Sequence, residues 1–505
     1  MDTGKTPTSE LALNELYRQK EEFFMNKKLI GSFVDARAPR YIEAADEIWG
    51  YAEMAFQEFQ SMEAHVKLLE DEGFEVSRNV GNIETAFCGQ WGEGKPVIAF
   101  LGEFDALAGL NQKAGADHKE AERPGCPGHG CGHNLLGIGA LAAAAALKKY
   151  MAEKGLKGTV RYYGCPGEEG GSGKAFMVRD GVFDGVDAAI TWHPASVNRV
   201  WNNSSLANSQ IYYRFRGRSA HAAAAPHLGR SALDAVELMN VGVQFLREHV
   251  IQEARMHYAI TDAGGVSPNV VQPYAEVLYL LRAPRSSQVA EIVERVDNIA
   301  KGAALMTGTT VEKDFVKSCA NVVNNETLER VLKANLDFFG APDWDDEDEN
   351  FARKIFATVP AEGRFETLTK ALRGTGEEGR RFLERAKTQA LAREIVPYVP
   401  YGLVDGGSTD VGDVSWVTPT AQIEMGTWPN STPGHSWQVV AVGRSPLAHK
   451  AMLQAAKVMA AAGLDLMTDP ELLKKAKDEL KQRIKDDRYI PIPAGIRPRS
   501  PAQKK

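Results

Sequence analysis

Short apolar runs punctuate this chain, and most open onto a loop rich in glycine, histidine or acid. Val97–Leu101 runs into Gly102-Glu103-Phe104-Asp105, Thr159–Tyr163 into Gly164–Glu169, and Ala188–Trp192 into His193-Pro194. A fourth run, Ala421–Met425, comes late. Each has the length and bounding signals of a buried strand. An alanine-rich stretch, Leu135–Tyr150, lies between the first two and predicts a helix. Strands alternating with helices predict an α/β sheet covered by helices. In such sheets ligands gather beyond the carboxyl ends of the strands, where the polar clusters fall.

The pattern changes in the middle of the chain. Ile211, Tyr213 and Phe215 alternate with Gln210, Arg214 and Arg216, as in a half-buried strand. A helix is predicted from Ser231, with Asp234 as a capping-box partner and an apolar stripe of Val236, Met239, Val243, Leu246 and Val250. Strands follow at His257–Thr261 and Tyr274–Leu281, then a helix carrying Val289, Ile292, Val296, Ile299 and Ala303, then a weak strand at Thr310–Val316. The order β-α-β-β-α-β is that of a ferredoxin-like sandwich. The expected organisation is a catalytic α/β domain over residues 1–206 and 320–487, interrupted by this α+β unit at 207–319. The acidic run Asp343–Asn350 predicts a solvated helix start, because Asp348 stands where a calcium loop needs glycine. A helical insertion over about 336–400 and an extended tail at 488–505, with four prolines, complete the outline.

Composition narrows the function. Over 505 residues, 44% hydrophobic and 25% charged is an ordinary globular balance. A net charge of −7 argues against a nucleic-acid binder, which needs a basic surface. No run reaches the roughly 18 consecutive apolar residues of a membrane span. Met1–Lys20 has no apolar signal core, and the five cysteines form no disulfide framework. The expectation is a cytoplasmic enzyme with neither membrane nor nucleic-acid partner.

Candidate chemistry sits at the loops. Cys131 and His133 flank one glycine, and Glu168-Glu169 are adjacent carboxylates in a glycine-rich loop. Alone, the first pair more often marks a hydrogen-bonded structural histidine, and the second a solvated acidic turn. The run Gly170–Lys174 is no phosphate-binding loop, since Glu168 and Ala175 occupy positions that need glycine and Ser/Thr. Together, Cys131, His133, Glu169, His193 and His435 offer soft, borderline and hard donors on one sheet edge. That mix suits a pair of zinc or manganese ions. One of the adjacent glutamates can then bind metal while the other stays free as a base.

These residues resemble a family. Phe104–Leu107, Cys131–Asn134, Glu168–Gly171, Ala220–Ala222, Asn269 and Gly434–Ser436 occur in the order of the two-domain co-catalytic metallopeptidases, which include aminoacylases, glutamate carboxypeptidases and auxin-conjugate amidohydrolases. The resemblance spans about residues 30–480. It implies a mixed-sheet catalytic domain with the inserted sandwich serving dimerisation, and two divalent ions, Mn²⁺ or Zn²⁺, per subunit. Cys131 would bridge them, with His133, Glu169, His193 and His435 completing the shells. Glu168 would be the general base and Asp105 an orienting group. His221 would reach a neighbouring subunit's site and donate to the oxyanion, while Asn269 and Arg282 would hold a substrate carboxylate. Two positions depart from the pattern: Glu103 stands where many relatives carry histidine, and Asn134 where the auxin-conjugate branch has aspartate. The implied reaction is hydrolysis of an N-acyl or N-aroyl amino acid, glutamate being one candidate. The implied assembly is a homodimer or a heterodimer with a homologous chain. Rival readings are hydrolytic removal of an aromatic amine and a non-catalytic partner subunit.

Overall fold

The computed structural model describes residues 7–400 and 402–500; Met1–Thr6 of the opening stretch and the last five residues of the tail lie outside them. The central sheet has seven strands in the order β1-β2-β4-β3-β5-β13-β6. These are β1 (Glu75–Arg78), β2 (Phe87–Glu93), β3 (Val97–Glu103), β4 (Gly158–Cys165), β5 (Ala188–Ala195), β6 (Arg199–Trp201) and β13 (Thr420–Gly426). The inner four, β4-β3-β5-β13, run parallel; β2 pairs antiparallel with β4 and β1 antiparallel with β2 on one side, and β6 pairs antiparallel with β13 on the other. Every residue of β3 is buried. Burial on both faces is why the inner strands read as unbroken apolar runs.

Helix α3 (His133–Lys154) crosses from β3 to β4 and lies in the interior between the sheet and the outer helices α1 (Pro7–Tyr51) and α14 (Pro446–Thr468). Its small alanines permit that depth; Gly137 and Gly139 allow closer approach still, to His65 and Trp192. By length and composition α3 is apolar enough to cross a membrane, yet it is mostly buried inside the protein. Helix α2 (Phe59–Asp71) packs beside it. The opposite face of the sheet carries the short helices α4 (Glu168–Gly171), α5 (Gly173–Arg179) and α12 (Val411–Val417).

The second sheet is β11-β8-β10-β9, all antiparallel: β8 (Ala207–Arg216), β9 (Arg255–Asp262), β10 (Tyr274–Ala283) and β11 (Thr310–Cys319). Helices α6 (Ala232–Leu246) and α7 (Ser286–Thr307) pack on one face and build a core of their own. The order and directions are those of the ferredoxin-like sandwich. Two details differ from expectation. Ser231 caps α6 by accepting from the Asp234 amide at 3.0 Å, but its hydroxyl meets the Asp234 carboxylate, so no reciprocal box forms. The helix ends at Leu246, leaving Val250 beyond it.

After the sandwich come α8 (Glu326–Phe339), α9 (Asp346–Ala357), α10 (Glu366–Ala371) and α11 (Gly376–Ala386). The acidic run does start a helix: Asp345 accepts from the amides of Glu347 and Asp348. Two-residue strands β7 (Ser204–Ser205) and β12 (Val404–Asp405) pair beside the junction, and α13 (Trp437–Val442) and α15 (Pro470–Ile484) complete the elements. Residues 488–500 have no regular structure, but they are docked rather than loose. Ile492 is buried under the sheet, the Tyr489 hydroxyl donates to Asp413 at 2.7 Å, and Arg499 forks onto Asp314 of the second sheet at 2.7 and 2.9 Å.

Candidate metal centre

Parallel strands end together, so the residues that follow them are brought to one edge. β3 ends at Glu103, with Asp105 two residues on. β4 leads into the turn of Glu168 and Glu169, and His193 lies near the end of β5. Cys131 precedes α3 and His133 is that helix's first residue. Between them Gly132 has φ 73°, and a Cβ there would press on Pro194 and Trp428 at 3.0 Å, so this turn needs glycine. His435, itself at φ 53°, donates its amide to the Gly130 carbonyl at 2.9 Å and so joins the loop after β13 to the Cys131 turn.

The donor atoms fall into two sets that share Cys131. Cys131, His133 and His193 form one, and Cys131, Glu169 and His435 the other; within each set the atoms lie inside 4.8 Å of one another. Cys131 Sγ is 3.5 Å from His193 Nε2. The far ring nitrogens are spoken for: His133 Nδ1 meets Asp105 Oδ1 at 2.9 Å, and His193 Nδ1 meets the Pro194 carbonyl at 2.7 Å. Those bonds hold a proton on each Nδ1 and turn each Nε2 inward, where it can give its lone pair to a cation. The other Asp105 oxygen accepts the Glu169 amide at 2.8 Å, so one carboxylate aligns a ligand of each set. His133 Nε2 and Glu169 Oε1 are buried without a hydrogen-bond partner. Glu103 is 3.3 Å from the first and His435 3.1 Å from the second, both misaligned for a hydrogen bond. Buried lone pairs of this kind are costly unless something accepts them. Divalent cations fit them.

The field separates the two glutamates. Burial, reinforced by Glu103, Glu169 and Asp410, holds the Glu168 carboxyl well above its ordinary range. Burial also opposes ionisation of Glu169, but His435 and His133 overcome it and bring this group to about 2. For Cys131, burial is outweighed by His193 and His133, and the thiol falls to about 6. His435 rises to about 10 beside Cys131 and Glu169. Neighbouring carboxyls pushed apart in this way take separate acid–base and ligand roles.

Seven of the expected residues thus meet: Asp105, Cys131, His133, Glu168, Glu169, His193 and His435. Three stand apart. His221, at the turn after β8, is exposed, and its Nδ1 accepts the amides of Ala223 and Ala224 at 3.3 and 3.1 Å. Asn269 is exposed on the adjoining loop, where its carbonyl accepts the Ala222 amide. Arg282, near the end of β10, donates to the Ser408 hydroxyl at 2.9 Å. The structure adds groups that sequence reasoning passed over. Glu58 is buried, accepts from the Gly167 amide and the Thr85 hydroxyl, and so holds the start of the Glu168 turn. Lys174, dismissed with the phosphate loop, is buried between Glu103 and Asp410. Only the glycine-rich run itself marked that lysine in the sequence.

A mixed sheet carrying donor sets at its carboxyl edge, with an inserted sandwich, defines a class. The chain belongs to peptidase family M20/M25/M40, whose profile matches residues 99–496, and it is a metal-dependent hydrolase acting on amide bonds. It is 51% identical over 472 residues, 93% of this chain and 98% of the relative, to one of the p-aminobenzoyl-glutamate hydrolase subunits of Escherichia coli (strain K12). Xaa-Arg dipeptidase of Mus musculus is 27% identical over 93% of this chain and 95% of its own length. Among solved structures, an aminobenzoyl-glutamate utilization protein from Klebsiella pneumoniae aligns with TM-score 0.56 at 16% identity, covering 86% of this chain and 97% of that one. A dinuclear metal-binding peptidase of the M20 family from Bacillus subtilis aligns with TM-score 0.53 at 19% identity, covering 86% and 99%. These two share the fold.

Proposed function

We propose that this hydrolase cleaves the amide bond of N-aroyl amino acids, p-aminobenzoyl-glutamate first among them, with two divalent ions, Mn²⁺ or Zn²⁺, bound at its two donor sets. The observation that carries the reading is the shared Cys131, which places a thiolate between the His133–His193 and Glu169–His435 sets with Glu168 beside them. When bound, such ions polarise the amide carbonyl and supply a nucleophile at neutral pH. Glu168 takes the proton from the attacking water and delivers it to the departing amine. The cations next to it would draw its raised carboxyl back toward the ionised form that a base needs. Asp105 keeps His133 and the Glu169 amide in place. Asn269 and Arg282 are assigned to the substrate carboxylate, for which a guanidinium fork is well matched, and His221 to the oxyanion of a neighbouring subunit. The 51% identity is to one p-aminobenzoyl-glutamate hydrolase subunit of Escherichia coli, and the differently named subunit of that hydrolase is 30% identical over 43% of this chain. That pair of likenesses supports assembly with a homologous chain. A screen of N-acyl and N-aroyl amino acids, run with Mn²⁺ or Zn²⁺ alone and then with a homologue of the less similar subunit added, tests this. Turnover of aroyl-glutamates above simple N-acetyl amino acids is expected. Hydrolysis confined to N-acetyl amino acids would overturn the substrate assignment.

A further inference from the structure

We propose that Lys174 is a positioning residue that keeps Glu103 off the metals, so that His133 stays with Cys131 and His193 and Glu168 stays free. The inference rests on the metal assignment above. Besides the two sets sharing Cys131, a third group of donors lies within the same 4.8 Å limit: Glu103, His133 and Glu168. It draws on the same imidazole nitrogen, because His133 Nδ1 is committed to Asp105. One lone pair serves one ion, so the set with two carboxylates competes with the thiolate set for His133. If the competing set won, a hard-ligand site would form and Glu168 would be consumed as a ligand.

Lys174 stands against that outcome. Its ammonium lies 2.6 Å from Glu103 Oε1 and 2.6 Å from Asp410 Oδ1, and none of the three side chains is more than 3% exposed. The Lys174 amide also donates to Asp410 Oδ2 at 2.8 Å, so both ends of the lysine are fixed by one aspartate. An ammonium has three donors and no lone pair, and its charge opposes a cation approaching the carboxylate it holds. Asp410 follows the inserted sandwich in the chain, whereas Glu103 and Lys174 precede it. The lock therefore closes only when the two halves of the catalytic domain meet. The same contacts give Glu103 a fixed partner other than a metal ion. Paired with Lys174, it serves as a counter-charge and leaves metal binding to the thiolate set.

Cobalt reports the difference, because thiolate ligation gives a near-ultraviolet charge-transfer band that carboxylates lack. Titrating the metal-free protein with Co²⁺ should raise that band through two equivalents. Lys174→Met should still bind cobalt but with about half the band, and kcat should fall about 10–100-fold, as when a group supporting a ligand is lost. Removing the competing carboxylate as well, in Glu103→Gln/Lys174→Met, should restore the band and much of kcat. A merely structural role for Lys174 predicts no such rescue. Glu103→Gln alone should keep the full band, and this variant decides the matter if Lys174→Met does not fold. A full band and unaltered kcat in Lys174→Met, or loss of a cobalt equivalent in Glu103→Gln, would overturn the proposal. No thiolate band in the unaltered protein would instead overturn the metal assignment itself.

Discussion

At the scale of single residues, Glu168 and Glu169 share a loop and differ in what faces them. Glu168→Gln should retain two equivalents of metal and lose roughly 10²–10⁴-fold in kcat, the range for removal of a general base. Glu169→Ala should lose metal and activity together. Metal analysis beside steady-state rates checks both, and equal metal loss in the two variants would reverse the roles. Two buried histidines outside the donor sets contribute to acid stability. Burial lowers His65 to about 4 and His129 to about 3, from an ordinary 6.5. The unfolded chain takes up these protons first as pH falls, so the share of stability that the two histidines contribute is present above about pH 6.5 and is lost between there and about pH 3. Buried carboxyls raised by burial, Glu58 and Asp413 among them, act in the opposite sense over part of that window, so the histidines are read by difference, from denaturation midpoints of metal-free parent and variant. His65→Leu should flatten the slope by about one proton; an unchanged slope would show that other groups set it.

Elements place these residues, and α3 places most. Its first residue is a proposed ligand, and its axial position is set by how closely it approaches the end of β3. A Cβ on Gly137 would lie 2.5 Å from His65 Nε2 and 2.8 Å from the Glu103 carbonyl. Gly137→Ala should therefore cost about 1–3 kcal/mol through overpacking, despite the better helix propensity of alanine. It should also weaken metal binding by tilting His133 away from Cys131. Gly50 in α1 is the control, since a Cβ there meets nothing within 4 Å. Gly50→Ala should stabilise by up to about 1 kcal/mol and leave metal affinity alone. Calorimetry and metal titration read both effects, and a Gly137→Ala protein as stable and as tight-binding as its parent would refute the close-packing account.

For the whole molecule the question is what lies opposite the metal edge. His221 is exposed on the sandwich, and its free ring nitrogen meets no member of the donor sets. The sandwich presents β9 as an open edge, and Val241 and Phe245 on α6 and Leu305 and Met306 on α7 are exposed apolar side chains. An open edge offers unpaired backbone groups to another copy or a partner chain. If the neighbour's His221 serves this site, His221→Ala should cost about 10²–10³ in kcat with metal content intact. Mixing His221→Ala with Glu168→Ala under conditions of subunit exchange should restore activity, because one mixed site then holds a sound base and a sound histidine. Exchange without recovery would place His221 outside the neighbour's chemistry.

Element type and order were legible in the chain because they depend on local pattern. Runs buried on both faces spell β3, β4, β5 and β13, a period of 3.6 spells α6 and α7, and the donor set follows from residue types after successive strands. Other features were not legible. The strands β1 and β2, at one side of the sheet, are partly exposed and lack an apolar run. Helix α1 is long, but its buried positions, such as Ile30, Tyr41 and Ile48, answer to neighbours distant in sequence rather than to a clean stripe. Lys174 finds Glu103 and Asp410 across 71 and 236 residues. Which imidazole nitrogen faces inward depends on Asp105 and on the Pro194 carbonyl. Residue chemistry and short-range periodicity are properties of the chain alone. Tertiary structure decides which charges are buried together and which lone pairs are left over, because burial and orientation exist only once distant segments pack.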